Sequence, residues 1–117
     1  MLNLLVLRVQ DLERSMTFYR LLGLEFQSHQ HGKGSLHYAA ELGIITFELY
    51  PCTEKYPVSS STRIGFHIED MDKTIKVLEE KENTILSKPK LTEWGLRAVV
   101  LDPDEHRVEL VEKFSKC

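Results

Sequence analysis

Two glutamates stand at matching places in the sequence. Glu48 lies in ITFELY and Glu109 lies in HRVELVE, 61 residues apart, and both stretches alternate apolar and polar residues. Alternation of this kind predicts a strand in which successive side chains point to opposite faces, so each glutamate lies opposite the apolar set. Two such carboxylates could remove a proton next to a carbonyl or bind a hard divalent cation.

Polar residues of other types fall on the same predicted strand faces. Arg63 could pair with the glutamates, hold an anionic ligand or steady an enolate, and alternatively it only neutralises the two carboxylates. His67 could donate a proton or a hydrogen bond to a ligand, or it bonds to Arg8 or to water. Tyr50 could bind a ligand through its hydroxyl group or meet water. We therefore treat Arg8, Tyr50, Arg63 and His67 as candidate ligand-binding residues.

Trp94 and three clustered histidines are further candidates. Trp94 is the only tryptophan, and its indole either stacks on a flat ligand or caps the sheet. His29, His31 and His37 flank the turn Gly-Lys-Gly and could in principle bind a metal. Because the tip of a hairpin usually faces water, we expect these three histidines to be solvated.

An internal repeat positions these residues. Residues 4–22 and 63–80 both read as a strand, an aspartate and an amphipathic helix. The apolar helix positions match at a constant spacing of 59 residues: Leu12 with Met71, Met16 with Ile75, and Tyr19 with Leu78. A repeat of this size predicts two copies of one unit that bury their faces together, with a ligand groove between them.

The strand and helix signals give each copy the order βαβββ. We predict an α+β fold in a single domain, residues 1–117, with module one at 1–50 and module two at 62–117. A linker rich in proline and serine, 51–61, joins them. Asp11 is a plausible N-cap of the first helix, and Gly23 a plausible stop.

Composition excludes several classes of protein. The chain is 42% apolar and 28% charged, as in a globular protein, and its net charge is −3 with no cluster of basic residues, which argues against nucleic-acid binding. No apolar run approaches the ~20 residues that span a membrane, and no signal peptide is evident, so a cytoplasmic location is expected. The two cysteines, Cys52 and Cys117, are expected to be free thiols.

The stretches LRVQDLERSMTFYRLLGLEF, ITFELY and WGLRAVVLDPDEHRVELVE closely resemble the glyoxalase, bleomycin-resistance and extradiol dioxygenase superfamily, the vicinal oxygen chelate fold. The resemblance covers nearly the whole chain. It implies two tandem βαβββ modules that form a cup-shaped, curved mixed sheet with the helices outside. It also implies a homodimer, which the linker would allow to be domain-swapped.

In metal-dependent members of this superfamily, the first and last strands of both modules supply the ligands, commonly His, Glu, His and Glu. By this resemblance Glu48 and Glu109 match two ligands, whereas Leu4 and Arg63 replace the others. Leucine has no donor atom, and a guanidinium repels a cation. The resemblance therefore implies either no cofactor or a weakly bound divalent metal. It also places Trp94 near the mouth of the cup.

Two functions follow from these observations. The first is a protein of the bleomycin-resistance type that binds a small organic molecule in the cup without a tightly bound metal. The alternative is a lyase or isomerase of the glyoxalase type that uses Glu48 and Glu109 as base or weak metal ligands. A subunit of a larger assembly that binds no ligand is a third possibility. Whether the chain is an enzyme stays open at this point.

Overall fold

The computed structural model describes residues 1–113, which divide into two compact units, Met1–Ser59 and a second that starts at Ser60. The first unit contains β1 (Leu4–Val9), α1 (Leu12–Leu21), β2 (Gln27–His29), β3 (His37–Leu42) and β4 (Ile45–Pro51). The second contains β5 (Arg63–His67), α2 (Met71–Glu80), β6 (Ile85–Thr92), β7 (Gly95–Leu101) and β8 (Arg107–Glu112). The α+β fold and the repeated order βαβββ are confirmed.

Each helix is preceded by the aspartate of the repeat, which is its N-cap. The Asp11 carboxylate accepts a hydrogen bond from the backbone N–H of Arg14 at 3.1 Å, and Asp70 accepts one from Lys73 at 3.1 Å. Each carboxylate thereby satisfies a backbone donor that has no partner within the helix. No helix within residues 1–113 is long and apolar enough to cross a membrane.

The strands of each unit are arranged in the same way. The first strand is parallel to the last, and the sheet orders are β1-β4-β3-β2 and β5-β8-β7-β6. Glu48 is thereby paired with Val6 on one side and with Ala39 on the other. Glu109 occupies the same place in the second sheet, between Gly65 and Val99.

One face of each sheet is covered by its helix. In the first unit the ring of Tyr19 on α1 packs edge-on against Phe47 on β4, at 5.2 Å between centroids. Phe47 and Leu49 are fully buried there, while the intervening Glu48 points the other way. In the second unit Val108 and Leu110 are buried, and Glu109 lies opposite them. We call the face that carries the glutamate the helix-free face of each module.

Two strands at the sheet edges are irregular. Between α1 and β3 only the three residues Gln27–His29 pair with β3. In β6 the register shifts twice, between Ile85 and Lys90, in the part of the strand that contains Pro89. Proline has no N–H to donate, which explains its place on this edge strand.

Candidate functional site

The centre of the candidate site is a histidine–glutamate pair on the helix-free face of module one. Nε2 of His37 lies 3.3 Å from Oε2 of Glu48, and these side chains are 4% and 18% exposed. The strand pairing creates the contact, because Ala39 is directly opposite Glu48 and His37 lies two residues before Ala39 on the same face.

The second ring nitrogen of His37 limits where protons can lie. Nδ1 is 3.2 Å from the carbonyl oxygen of Ser35, which can only accept a hydrogen bond, so Nδ1 carries the hydrogen. Nε2 then donates to Glu48 only when the imidazole is doubly protonated, or Glu48 donates to Nε2 when the carboxyl group holds the proton. The pair is therefore a place where one proton can be held and passed on.

A stack of flat groups extends from this pair. The ring of His37 lies on Tyr50, 4.3 Å between centroids and 7° from parallel. Cζ of Arg8 lies 5.0 Å from the centroid of Tyr50 and 4.5 Å from that of Tyr56. A guanidinium nitrogen of Arg8 also donates to the carbonyl oxygen of Pro51 at 3.2 Å. We call the side chains of His37, Tyr50, Arg8 and Tyr56 the cation–aromatic column.

The three clustered histidines have different environments. His31 is exposed, as expected, but the prediction of a solvated His37 is wrong, since only 3% of the residue is accessible. The reason is that neighbouring strands cover this ring. Tyr50 on β4 stacks on it, and His29, which is paired with His37 on β2, lies 5.7 Å from it between ring centroids. The hairpin tip is solvated, but its base is not.

A cavity adjoins the column on the same sheet. It has a volume of about 260 Å³ and is lined by Glu25, Phe26, Gln27, His29, Ala39 and Glu41. Ala39 connects it to the site, because this small residue pairs with Glu48. The helix-free face of module one therefore combines a recess with flat, basic and acidic groups.

Module two places a different basic residue beside its glutamate. Nε of Arg97 donates to Oε1 of Glu109, and Nη2 of Arg63 lies 3.8 Å from Oε2. The hydrogen bond from Arg97 lowers the pKa of Glu109, partial burial opposes this, and the charges of Arg97 and Arg63 lower it further. Glu109 is thus held as a carboxylate by two arginines.

Sequence reasoning missed Arg97 and His37 as partners of the glutamates, although the repeat contains the signal. Arg97 lies two residues before Val99, the residue opposite Glu109, just as His37 lies two residues before Ala39. His37 and Arg97 therefore occupy equivalent positions in the two copies of the repeat.

The three other predicted site residues lie in module two. Arg63 is the more distant of the two arginines at Glu109, and His67 is exposed at the end of β5, where it is paired with Val111. Trp94 is 68% exposed in the turn before β7, where its backbone N–H donates to the hydroxyl of Thr92 at 3.2 Å. Among the described residues, His67 and Trp94 belong neither to the cation–aromatic column nor to the two arginines at Glu109.

The residues at the positions of the family's metal ligands do not fit a metal. Leu4 presents a hydrocarbon side chain on the face of Glu48, and Arg63 brings positive charge to Glu109. In the described part of the chain, no three or more His, Cys, Asp or Glu side chains are grouped to hold an ion.

Comparison with known proteins agrees with this architecture. Hypothetical protein SA1046 from S. aureus has a similar structure, with a TM-score of 0.76 and 19% identity over 96% of this chain and 92% of that one. TnmS3, an antibiotic-binding protein from Streptomyces sp. CB03234, has a TM-score of 0.74 and 23% identity over 97% and 96% of the chains. A glyoxylase/bleomycin resistance protein/dioxygenase domain from Frankia sp. EAN1pec has a TM-score of 0.75 and 15% identity over 97% and 98%.

These three structures show the shared fold, and a sequence comparison gives the family. No functionally curated protein matches the chain. The family model described as the Glyoxalase/Bleomycin resistance protein/Dioxygenase superfamily matches residues 1–110, a range that includes both helices and most of β8. The chain belongs to the glyoxalase/bleomycin resistance protein/dioxygenase superfamily.

Proposed function

We propose that this protein binds a small, flat organic molecule on the helix-free face of module one and needs no tightly bound metal to do so. The observation that carries the proposal is the cation–aromatic column, in which the ring of His37 is stacked on that of Tyr50 and Cζ of Arg8 lies over the Tyr50 ring. Aromatic and guanidinium surfaces attract flat ligands through stacking and cation–π contacts.

The surroundings of the column support a ligand rather than a purely structural stack. The cavity of about 260 Å³ gives room beside Ala39, and Glu48 can accept a hydrogen bond from a ligand at its edge. Arg8 supplies a positive charge for an anionic group. TnmS3, which shares the fold, is an antibiotic-binding protein, and this supports small-molecule binding as a use of the fold.

Arg63, His67 and Trp94 of module two stay predicted ligand-binding residues. The side chain of Arg63 is the more exposed of the two arginines at Glu109, 57% against 31% for Arg97, so its guanidinium is accessible to a ligand. A homodimer and a cytoplasmic location also stay predictions, and light scattering of the purified protein would test the first of them.

Two variants of one residue test this site. Isothermal titration with a panel of aromatic probes, 2-naphthoate among them, should give binding that Tyr50→Leu weakens at least about tenfold, because Arg8 loses the ring that supports its guanidinium. Tyr50→Phe is the matched control, since it keeps the ring and removes only the hydroxyl group. Equal affinity in Tyr50→Leu and the natural protein would mean that the column is not the binding surface.

A lyase or isomerase is the second candidate, and the His37–Glu48 pair is the observation that favours it. A carboxylate beside an imidazole can take a proton from carbon and share it with the ring. Glu109 is the poorer base, because the hydrogen bond from Arg97 lowers its pKa. The catalytic role therefore falls on Glu48 rather than equally on both glutamates.

Exchange of a carbon-bound proton separates the two functions. A ligand with a carbonyl group should exchange its neighbouring proton with deuterated solvent if the protein is an enzyme, as followed by NMR. Glu48→Gln should then stop exchange while Glu109→Gln keeps it. Unchanged exchange in Glu48→Gln excludes that base, and binding without any exchange leaves the binding protein as the function.

A further inference from the structure

The outermost member of the cation–aromatic column comes from the segment that joins the modules. Tyr56 lies in a small turn that closes on itself: the N–H of Thr53 donates to the Tyr56 carbonyl, and the N–H of Tyr56 donates to the Thr53 hydroxyl, both at 2.9 Å. The turn is attached to the sheet through Cys52, whose N–H donates to the carbonyl of Val9 at 2.8 Å. The ring of Tyr56 is thereby held over Arg8.

The two ends of the column differ in how firmly they are built. His37 is buried and fixed by Ser35, Tyr50 and Glu48. Tyr56 is 48% exposed, and its ring is in contact with two cations, Arg8 at 4.5 Å and the ammonium of Lys55 at 5.3 Å. An exposed cation–π contact is among the weaker interactions in a protein, so this ring can leave its place at little cost.

We propose that the ring of Tyr56 occupies the position of the ligand's own ring, and that the ligand is a planar aromatic anion that displaces it. This inference rests on the ligand site proposed above and adds the class of molecule. The inner surface of the position is Arg8, supported from behind by Tyr50, and Lys55 supplies a second positive charge. Tyrosine itself offers these cations only a neutral ring.

Charge explains why an anion would win this competition. A neutral aromatic ligand would exchange one cation–π contact with Arg8 for another and gain little. An aromatic carboxylate, sulfonate or phenolate keeps the stacking and adds attraction to the guanidinium and ammonium groups. A cationic ring would meet repulsion from both. The expected order of affinity is anion, then neutral molecule, then cation.

Matched probes and two variants of Tyr56 test the inference. The probes are 2-naphthoate, 2-naphthylmethanol and 2-naphthylmethylammonium, which carry the same ring and differ in charge, titrated calorimetrically into the whole chain. Tyr56→Ala should bind 2-naphthoate about fivefold more tightly than the natural protein, because no internal ring competes. Tyr56→Phe retains a ring over Arg8 and should stay close to the natural affinity.

A second measurement follows the tyrosine directly. With ring-labelled tyrosine, and Tyr56→Phe to assign the signal, the NMR resonance of Tyr56 should move to the position of a fully exposed tyrosine as 2-naphthoate saturates the protein. Arg8→Met should remove the preference for the anion over the neutral probe. The shift of the Tyr56 resonance is independent of any change in affinity that Tyr56→Ala causes.

The outcomes separate this inference from the proposed function. Binding that is equal or weaker in Tyr56→Ala, or a Tyr56 signal that does not move, overturns the displacement while the site at Tyr50 stands. Preference for the neutral or cationic probe overturns the assignment of an anion. Failure of every probe to bind both the natural protein and Tyr56→Ala overturns the inference together with the proposed function.

Discussion

The two modules place a basic residue at the same position beside the same glutamate, but they use different residues. His37 in module one and Arg97 in module two both lie two positions before the residue that pairs with the glutamate of the last strand. The backbone geometry of the repeat is therefore preserved while its chemistry has diverged. The repeat fixes where a contact is made, and the side chain decides what the contact can do.

The consequence of this difference is largest for the proton. Arg97 is always charged, so its pair with Glu109 is a permanent ion pair that lowers the pKa of the carboxyl group. A histidine side chain, unlike arginine, also has a neutral form, and the flat ring of His37 stacks on Tyr50. Module one therefore combines an imidazole with an aromatic stack, whereas module two has a permanent ion pair.

The largest expected effect contrasts two glycines. A Cβ added at Gly95 in module two would lie 2.1 Å from the carbonyl oxygen of Glu112, and the residue has φ +126°. We expect Gly95→Ala to lower the free energy of unfolding by at least about 3 kcal/mol, since the obstacle is backbone that cannot yield. Gly43→Ala in module one is the control: φ is +67° with no atom within 4 Å, and the expected cost is about 1 kcal/mol. Urea unfolding compares them, and equal losses would refute this explanation.

The second prediction contrasts the two buried histidines. His106 in module two is fully buried, its Nδ1 lies 2.8 Å from Oδ2 of Asp102, and that carboxylate is buried as well. His106→Ala should therefore cost about 3 kcal/mol of stability. His37→Ala should cost less, about 1 to 2 kcal/mol, because water can reach Glu48, but it should weaken binding of 2-naphthoate. Urea unfolding and calorimetric titration of both variants give the answer. If His37→Ala destabilises as much as His106→Ala and leaves binding intact, His37 is structural.

The third prediction concerns acid stability. The pKa of Glu109 is lowered in the folded protein, so its contribution to stability is present above the unfolded value of 4.5 and is lost as the pH falls through the folded value. Arg97→Met should reduce stability at pH 7 by no more than about 1 kcal/mol, as expected of a partly exposed ion pair. The variant should also lose less stability than the natural protein on acidification from about pH 5 to about pH 3.

Arg63→Met is the control for that experiment. Its guanidinium lies 3.8 Å from Glu109 and contributes least to the lowered pKa, so its effect should be smaller in both respects. Urea unfolding at several pH values measures both variants. An acid response that is unchanged in Arg97→Met, or a larger effect from Arg63→Met, would mean that Arg97 is not the main partner of Glu109.

The sequence predicted the sheet face on which a side chain lies better than it predicted the side chains that it contacts. Alternation placed Glu48 on the sheet face opposite to that of the buried Phe47, because the side chains of a strand have a fixed period of two residues. The contact between His37 and Glu48 depends on the register of β3 against β4, which the turn between them sets and which the residue pattern does not contain. The burial of His37 was missed for the same reason, since its cover is Tyr50 from the neighbouring strand.

Arg97 and Tyr56 show two further limits. Arg97 was visible as a basic residue in a predicted strand, but only the pairing of Val99 with Glu109 reveals that it reaches the carboxylate. Tyr56 lies in a segment whose proline and serine content predicts a linker, and a linker pattern contains no information about which ring it places over Arg8. Contacts between distant parts of the chain depend on tertiary structure, and local patterns do not encode them.

The smallest expected effect comes from the turns that join the last two strands of each module. Gly43 in module one and Glu105 in module two both have φ near +67°, a left-handed conformation that glycine adopts freely and that costs other residues about 1 kcal/mol. Glu105→Gly should relieve this strain, but it also makes the unfolded chain more flexible, so we expect a net gain of only about 0.5 kcal/mol. Urea unfolding of Glu105→Gly beside Glu105→Ala, which keeps the strain and removes only the carboxylate, separates backbone from charge. A gain in the alanine variant of the same size would show that the charge of Glu105, and not its left-handed backbone, distinguishes the turn of module two from that of module one.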